Sequence, residues 1–60
     1  FKRSIYIVED MSEGDILTEN NIRIIRPGYG LQPKYFDVVL GKHINKAAKR
    51  GTALTFDLLG

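Results

Sequence analysis

The chain has 60 residues, enough for one small domain that buries only about 60% of the surface its unfolded form exposes. With 43% hydrophobic residues and no cysteine it must rely on a single thin core, since neither a disulfide nor a thiolate-held metal is open to it. A net charge of +2, dispersed along the chain, is too small for a nucleic-acid footprint, and apolar runs of about four or five residues fall far short of a membrane span.

The segment Phe1-Lys2-Arg3-Ser4 leads straight into a strand-like run and carries no signal-peptide pattern. A start other than methionine reads as a domain cut from a longer protein, and the lack of cysteine fits a reducing cytoplasm. Ile5-Tyr6-Ile7-Val8 is β-branched and aromatic, so the first expected element is a strand. Ser12 to Asp15 reads as a turn and Ile16-Leu17 as a short extended piece. Thr18 to Asn21 then suits one helical turn capped by the Thr18 hydroxyl. Ile22 to Ile25 is strand again, and Pro27, Gly28, Gly30 and Pro33 punctuate a long irregular connection. Pro33 pre-sets a short helix through Leu40, with Phe36, Val39 and Leu40 on one face and Gly41 as its left-handed stop. Lys42-His43-Ile44 resumes extended chain, and Thr55 to Leu58 closes with another turn.

Two stretches, EGDILTENNI (13–22) and RGTALTFDLL (50–59), align without gaps at a spacing of 37 residues. Gly14 falls on Gly51, Leu17 on Leu54, Thr18 on Thr55 and Ile22 on Leu59; at the same spacing Ile7 falls on Ile44. Each copy reads as a strand, a glycine turn, an apolar pair and a threonine-capped helical turn. Two such units sharing one core about a pseudo-twofold axis predict a mostly β domain of short strands and single-turn helices.

Little catalytic chemistry is on offer. His43 is the sole histidine and no spaced carboxylate pair joins it as a metal site. Ser4 and Ser12 have no neighbouring histidine, so a nucleophilic triad is unsupported, and Asp10 and Asp15 are accounted for by turn chemistry. Gly28-Tyr29-Gly30 is only a fragment of a phosphate-cradling loop. The basic clusters Lys2-Arg3 and 46–50 read as solvated surface. The domain alone is not expected to be catalytic.

Arg26 stands out by position. Strand alternation sets it on the side of Ile22 and Ile24, the expected core face. A guanidinium keeps its proton and cannot enter an apolar core unpaired, so the strand has to leave the core at Arg26. Pro27 holds Arg26 extended, and Pro27-Gly28 suits a type II turn with Gly28 at positive φ. Two readings stay open from the residues: a surface arginine in a loose ion pair worth about 0–1 kcal/mol, or a stiffly mounted donor aimed at something outside the chain. Tyr29 and Leu31, apolar on the loop, raise the same choice between ordinary surface and a docking face.

The runs RSIYIVEDMSEGDILTENNI (3–22), RPGYGLQPKYFDVVLGK (26–42) and RGTALTFDLL (50–59) together resemble the C-terminal antifreeze-like, or SAF, domain of bacterial sialic-acid synthases. The most specific parts are Arg26-Pro27-Gly28 and Leu40-Gly41-Lys42. The resemblance implies the β-clip fold, a pseudo-twofold arrangement of short strands and helical turns. It implies a parent enzyme that condenses phosphoenolpyruvate with an N-acylated amino sugar to a nonulosonic (sialic) acid. Catalysis is then expected in a preceding TIM barrel that holds manganese or another divalent metal, with none in this domain. It also implies a cytoplasmic homodimer in which this domain caps the partner's barrel and Arg26 binds the sugar near its N-acyl group. Tyr29, Gln32 and Lys34 are expected at the same interface from their nearness in sequence. The form IRPGYGLQPKY resembles pseudaminate synthases more than N-acetylneuraminate synthases. Ala47-Ala48 and Ala53 depart from the Asp-Ile and Pro of many members, which touches local turn packing and not Arg26.

Two other classes compete. Type III antifreeze proteins share the fold, but an ice-binding face needs few charges, and Glu13, Asp15 and Glu19 crowd the corresponding turn. SAF domains of carbohydrate dehydratases and of pilus or flagellar assembly proteins are not expected to combine Arg26-Pro27-Gly28 with Leu40-Gly41-Lys42.

Overall fold

A computed structural model describes residues 2–60; Phe1 lies outside them. Two strands, β1 (Ser4–Ile7) and β2 (Ile22–Ile25), pair antiparallel with Ser4 opposite Ile25 and Ile7 opposite Ile22. The remaining extended chain is joined by single bridges, Tyr6 with Ala53, Met11 with Ala48, Ile16 with His43 and Ile44 with Leu59. A 3₁₀ turn at Pro33–Tyr35 runs into α1 (Phe36–Val39), and a second 3₁₀ turn spans Phe56–Leu58. The class is the expected one: mostly β, with short strands and single helical turns.

The repeat is written into the backbone hydrogen bonds. The Gly14 N–H donates to the Ile44 carbonyl at 2.9 Å, and the Gly51 N–H to that of Ile7 at 2.8 Å. Leu17 donates to Lys42 and Leu54 to Ile5; Ile44 donates to Asp15 and Ile7 to Thr52. Each bond has its counterpart at a spacing of 37 residues, with the two copies exchanged. Met11 and Ala48 exchange both of their bonds, at 2.8 and 2.9 Å. That pair is its own counterpart and so lies on the pseudo-twofold axis. Ala48 is buried there beside Met11. Gly14 and Gly51 turn with φ of 89° and 94°, a region that side-chain-bearing residues avoid.

Each copy sends its apolar pair and strand residues into one core. Ile5, Ile7, Leu17, Ile22, Ile44, Leu54 and Val39 are fully buried within it. Phe36 and Leu40 pack against it, so the helical face that the spacing predicts is the one that docks. Gly41 closes the helix at φ 88°.

Three local expectations are corrected. Strand β2 leaves the core earlier than Arg26: Ile22 is buried but Ile24 is already 36% exposed. β2 is the sheet's edge, paired on one side, whereas β1 lies between β2 and the segment at Ala53 and is buried along its whole length. The type II turn at Pro27-Gly28 does not form, because Gly28 is not at positive φ. The second threonine cap is also missing. Thr18 Oγ1 accepts from the Asn20 N–H at 3.2 Å as expected, but the Thr55 hydroxyl donates to the Asp57 carboxylate instead and caps no backbone group.

Candidate functional site

Between Ile22 and Val39 the chain leaves the repeat and makes an arm. Arg26 directly follows β2 and is exposed, as are Pro27, Gly28 and Tyr29. Tyr29, at 80%, is the most exposed of the large apolar residues among those described. The loop is nevertheless held at its base. The Leu31 N–H donates to the Leu54 carbonyl at 2.8 Å and the Leu31 carbonyl accepts from Ile5 at 2.9 Å, so Leu31 is woven into the core and buried. The reading of Leu31 as a docking residue is therefore corrected; Tyr29 alone keeps that character.

Close approach explains the two glycines of this loop. A Cβ on Gly30 would lie 2.4 Å from the Ile5 carbonyl oxygen and 2.9 Å from that of Leu54, closer than real contacts allow. A Cβ on Gly28 would lie 3.0 Å from Lys2 Cβ. The loop thus presses on the segment before β1 and over β1 itself.

Arg26 and Tyr29 share this loop, while Gln32 and Lys34 stand beyond it on a separate feature. With Lys2, Arg3 and Pro33 they line an open cleft of about 340 Å³. Lys34 Nζ sits 5.3 Å from the centre of the Tyr35 ring, a cation–π distance, and the Tyr35 ring meets Phe56 edge-on at 5.2 Å. Lys2 joins the two features, touching the Gly28 position on one side and the cleft on the other. Lys2 and Arg3 are exposed, as their sequence reading as solvated surface expects, and they also border the arm.

The residue that sequence reasoning missed is Ser4. It is 1% exposed in an otherwise apolar strand. Its hydroxyl donates to the Pro27 carbonyl at 2.7 Å and accepts from the Gly30 N–H at 3.0 Å. The available signal was a lone serine heading the run SIYI, where a fourth apolar residue would suit a buried strand.

His43 is exposed, in its bridge to Ile16. Among the described residues no group of three or more His, Asp or Glu side chains is arranged to hold a metal ion, and no helix is long and apolar enough to cross a membrane. Glu13, Asp15 and Glu19 all stand exposed on the turns of the first copy. Their hydrated carboxylates are at odds with an ice-like surface.

The family model described as the SAF domain matches residues 2–60. The chain belongs to the SAF-domain family. Its relatives include the pseudaminic acid synthase of Helicobacter pylori, 42% identical over 57 residues, which cover 95% of this chain and 17% of that protein. The pseudaminic acid synthase of Campylobacter jejuni serotype O:2 is 41% identical over 54 residues, 90% of this chain and 16% of the relative. Among solved structures, the spore coat polysaccharide biosynthesis protein spsE of Bacillus subtilis superposes with a TM-score of 0.88 at 26% identity, over 97% of this chain and 17% of that one. The β-clip and the sialic-acid-synthase kinship that Arg26-Pro27-Gly28 implied are therefore those of this SAF domain. The chain spans about one-sixth of the length of the curated relatives it matches.

Proposed function

We propose that this SAF domain is the substrate cap of a nonulosonic acid synthase, by its relatives a pseudaminate synthase, that condenses phosphoenolpyruvate with an N-acylated amino sugar. In this reading the chain is one domain of a longer cytoplasmic protein whose TIM barrel carries the reaction and its divalent metal. The described residues of this domain offer no ligand set for that metal. Two subunits associate, and each cap lies over its partner's barrel, excluding water and holding the reactants together. Arg26 binds the sugar near its N-acyl group, and Tyr29, Gln32 and Lys34 border the interface.

The observation that carries the reading is how Arg26 is mounted. A permanently charged, planar donor stands exposed at the end of a strand, on a loop that is anchored at its base to the core and also carries an aromatic side chain the domain itself leaves uncovered. A guanidinium so held can grip a carbonyl oxygen in one geometry and needs no adjustment of its protonation.

In the full-length enzyme, Arg26→Ala should lower kcat/KM for the amino sugar by roughly 10- to 100-fold, the worth of one or two charged hydrogen bonds. The KM for phosphoenolpyruvate and the metal affinity should stay near wild type. Steady-state constants for the sugar that do not move in a folded mutant dimer would remove Arg26 from the site.

A further inference from the structure

We propose that Ser4 is a positioning residue that holds the loop carrying Arg26 and Tyr29 in its working direction; its consequence for turnover rests on the cap reading given above. The hydroxyl bridges two points of the loop that lie 23 and 26 residues away along the chain. One O–H can do this because it offers one proton and two lone pairs, here spent on Pro27 and Gly30 respectively. Among the described residues, no other hydrogen bond engages the backbone of 27–30.

The second half of the molecule supplies a control. At the spacing of 37 residues Ser4 corresponds to Gly41, which has no side chain. The reciprocal backbone bonds described for the repeat involve neither Ser4 nor Gly41. The hydroxyl therefore belongs to the arm and is not needed by the scaffold. The hydroxyl itself is buried, which limits the access of water to its side of the bridge, although Pro27 is exposed and Gly30 half-buried. Alanine at this position would leave the Pro27 carbonyl and the Gly30 N–H without their partner, and the loop would gain alternative directions.

The test uses the full-length synthase. By hydrogen exchange, Ser4→Ala should speed exchange of the Gly30 amide by about tenfold or more, while the Leu31 and Leu54 amides, held by backbone carbonyls, keep their protection. The KM for the amino sugar should rise by roughly three- to tenfold with that for phosphoenolpyruvate unchanged, a split that simple loss of stability does not produce. In an Arg26→Ala background, Ser4→Ala should cost nothing further, because it acts through that arginine. Ser4→Thr, which keeps the hydroxyl, should restore both exchange and KM; Ser4→Cys, similar in size but a weak hydrogen-bonding group, replaces alanine as the reporter if the alanine variant does not fold. Unchanged Gly30 exchange, or sugar losses that simply add in the double variant, would overturn the proposal. Accelerated Gly30 exchange together with an Arg26→Ala enzyme of normal sugar kinetics would instead overturn the cap reading and leave the serine clamp standing.

Discussion

The two halves of this domain share one backbone plan and differ in almost everything outside it. Leu17 and Leu54 are both buried, Ile7 and Ile44 likewise, and the crossed bonds from Gly14 and Gly51 are near copies at 2.9 and 2.8 Å. At exposed positions the pairing dissolves: Glu13 stands where Arg50 does, Asp15 where Thr52 does, and Glu19 where Phe56 does. The first half also leads through β2 into the Arg26 loop and α1. A small core constrains the positions that fill it and leaves the surface free. The arm exploits that freedom, and it carries the proposed site.

The largest effects should come from breaking the shared core. Leu17→Ala and Leu54→Ala should each destabilise by about 2–5 kcal/mol, a large share of what a domain this size possesses. Because the halves interlock through reciprocal bonds, the two losses should agree within about 1 kcal/mol, and urea unfolding followed by two probes should show one transition for each variant. A variant that loses one half while the other stays folded would separate what the hydrogen bonds suggest is one unit.

Glycine substitutions sharpen the contrast between repeat and arm. Gly51→Ala forces a side chain into the left-handed region and should cost about 1–2 kcal/mol, with open space around it. Gly30→Ala drives a methyl into the Ile5 and Leu54 carbonyls, and the resulting backbone shift should cost about 1–3 kcal/mol and displace the loop as well. Thermal unfolding should rank Gly30→Ala as the more damaging, and in the parent enzyme only that variant should also impair sugar use.

The smallest effect concerns the failed symmetry of the threonines. The Thr55 hydroxyl beside Asp57 lowers its carboxyl below the ordinary 3.8, helped by the Asp57 backbone N–H and weakly by Lys46. With the folded value depressed, the stabilisation is present above 3.8 and lost as pH falls through the lower folded value. Asp57 is fully exposed, so the gain is slight. Thr55→Ala should move the Asp57 titration, followed by NMR, up toward 3.8, and a titration that stays put would show that the hydroxyl is not the cause.

Much of the scaffold was readable from local signals. The extent of β2, the helical turn after Pro33, the left-handed Gly41 and the repeat all follow from periodicity and from turn residues that act within a few positions of themselves. The arm was read less well. Gly28 carries the usual mark of a type II turn, yet its absent side chain serves the approach to Lys2, a contact 26 residues away that no local rule reports. Ile24 continues a correct alternation but lies beyond the reach of the core, because whether a strand is flanked on one side or two depends on what the rest of the chain brings beside it.

Residue order alone determined the class of fold, the internal pairing of its halves and the arginine that merits attention, since hydrophobic spacing, glycine and proline act through short-range sterics and burial. Only the tertiary structure decided that Ser4 bridges Pro27 to Gly30, that Leu31 belongs to the core and Tyr29 to the surface, and that Lys2 and Arg3 border the arm. Those relations join residues far apart along the chain, and they exist only once the shared core has brought β1 beneath the loop.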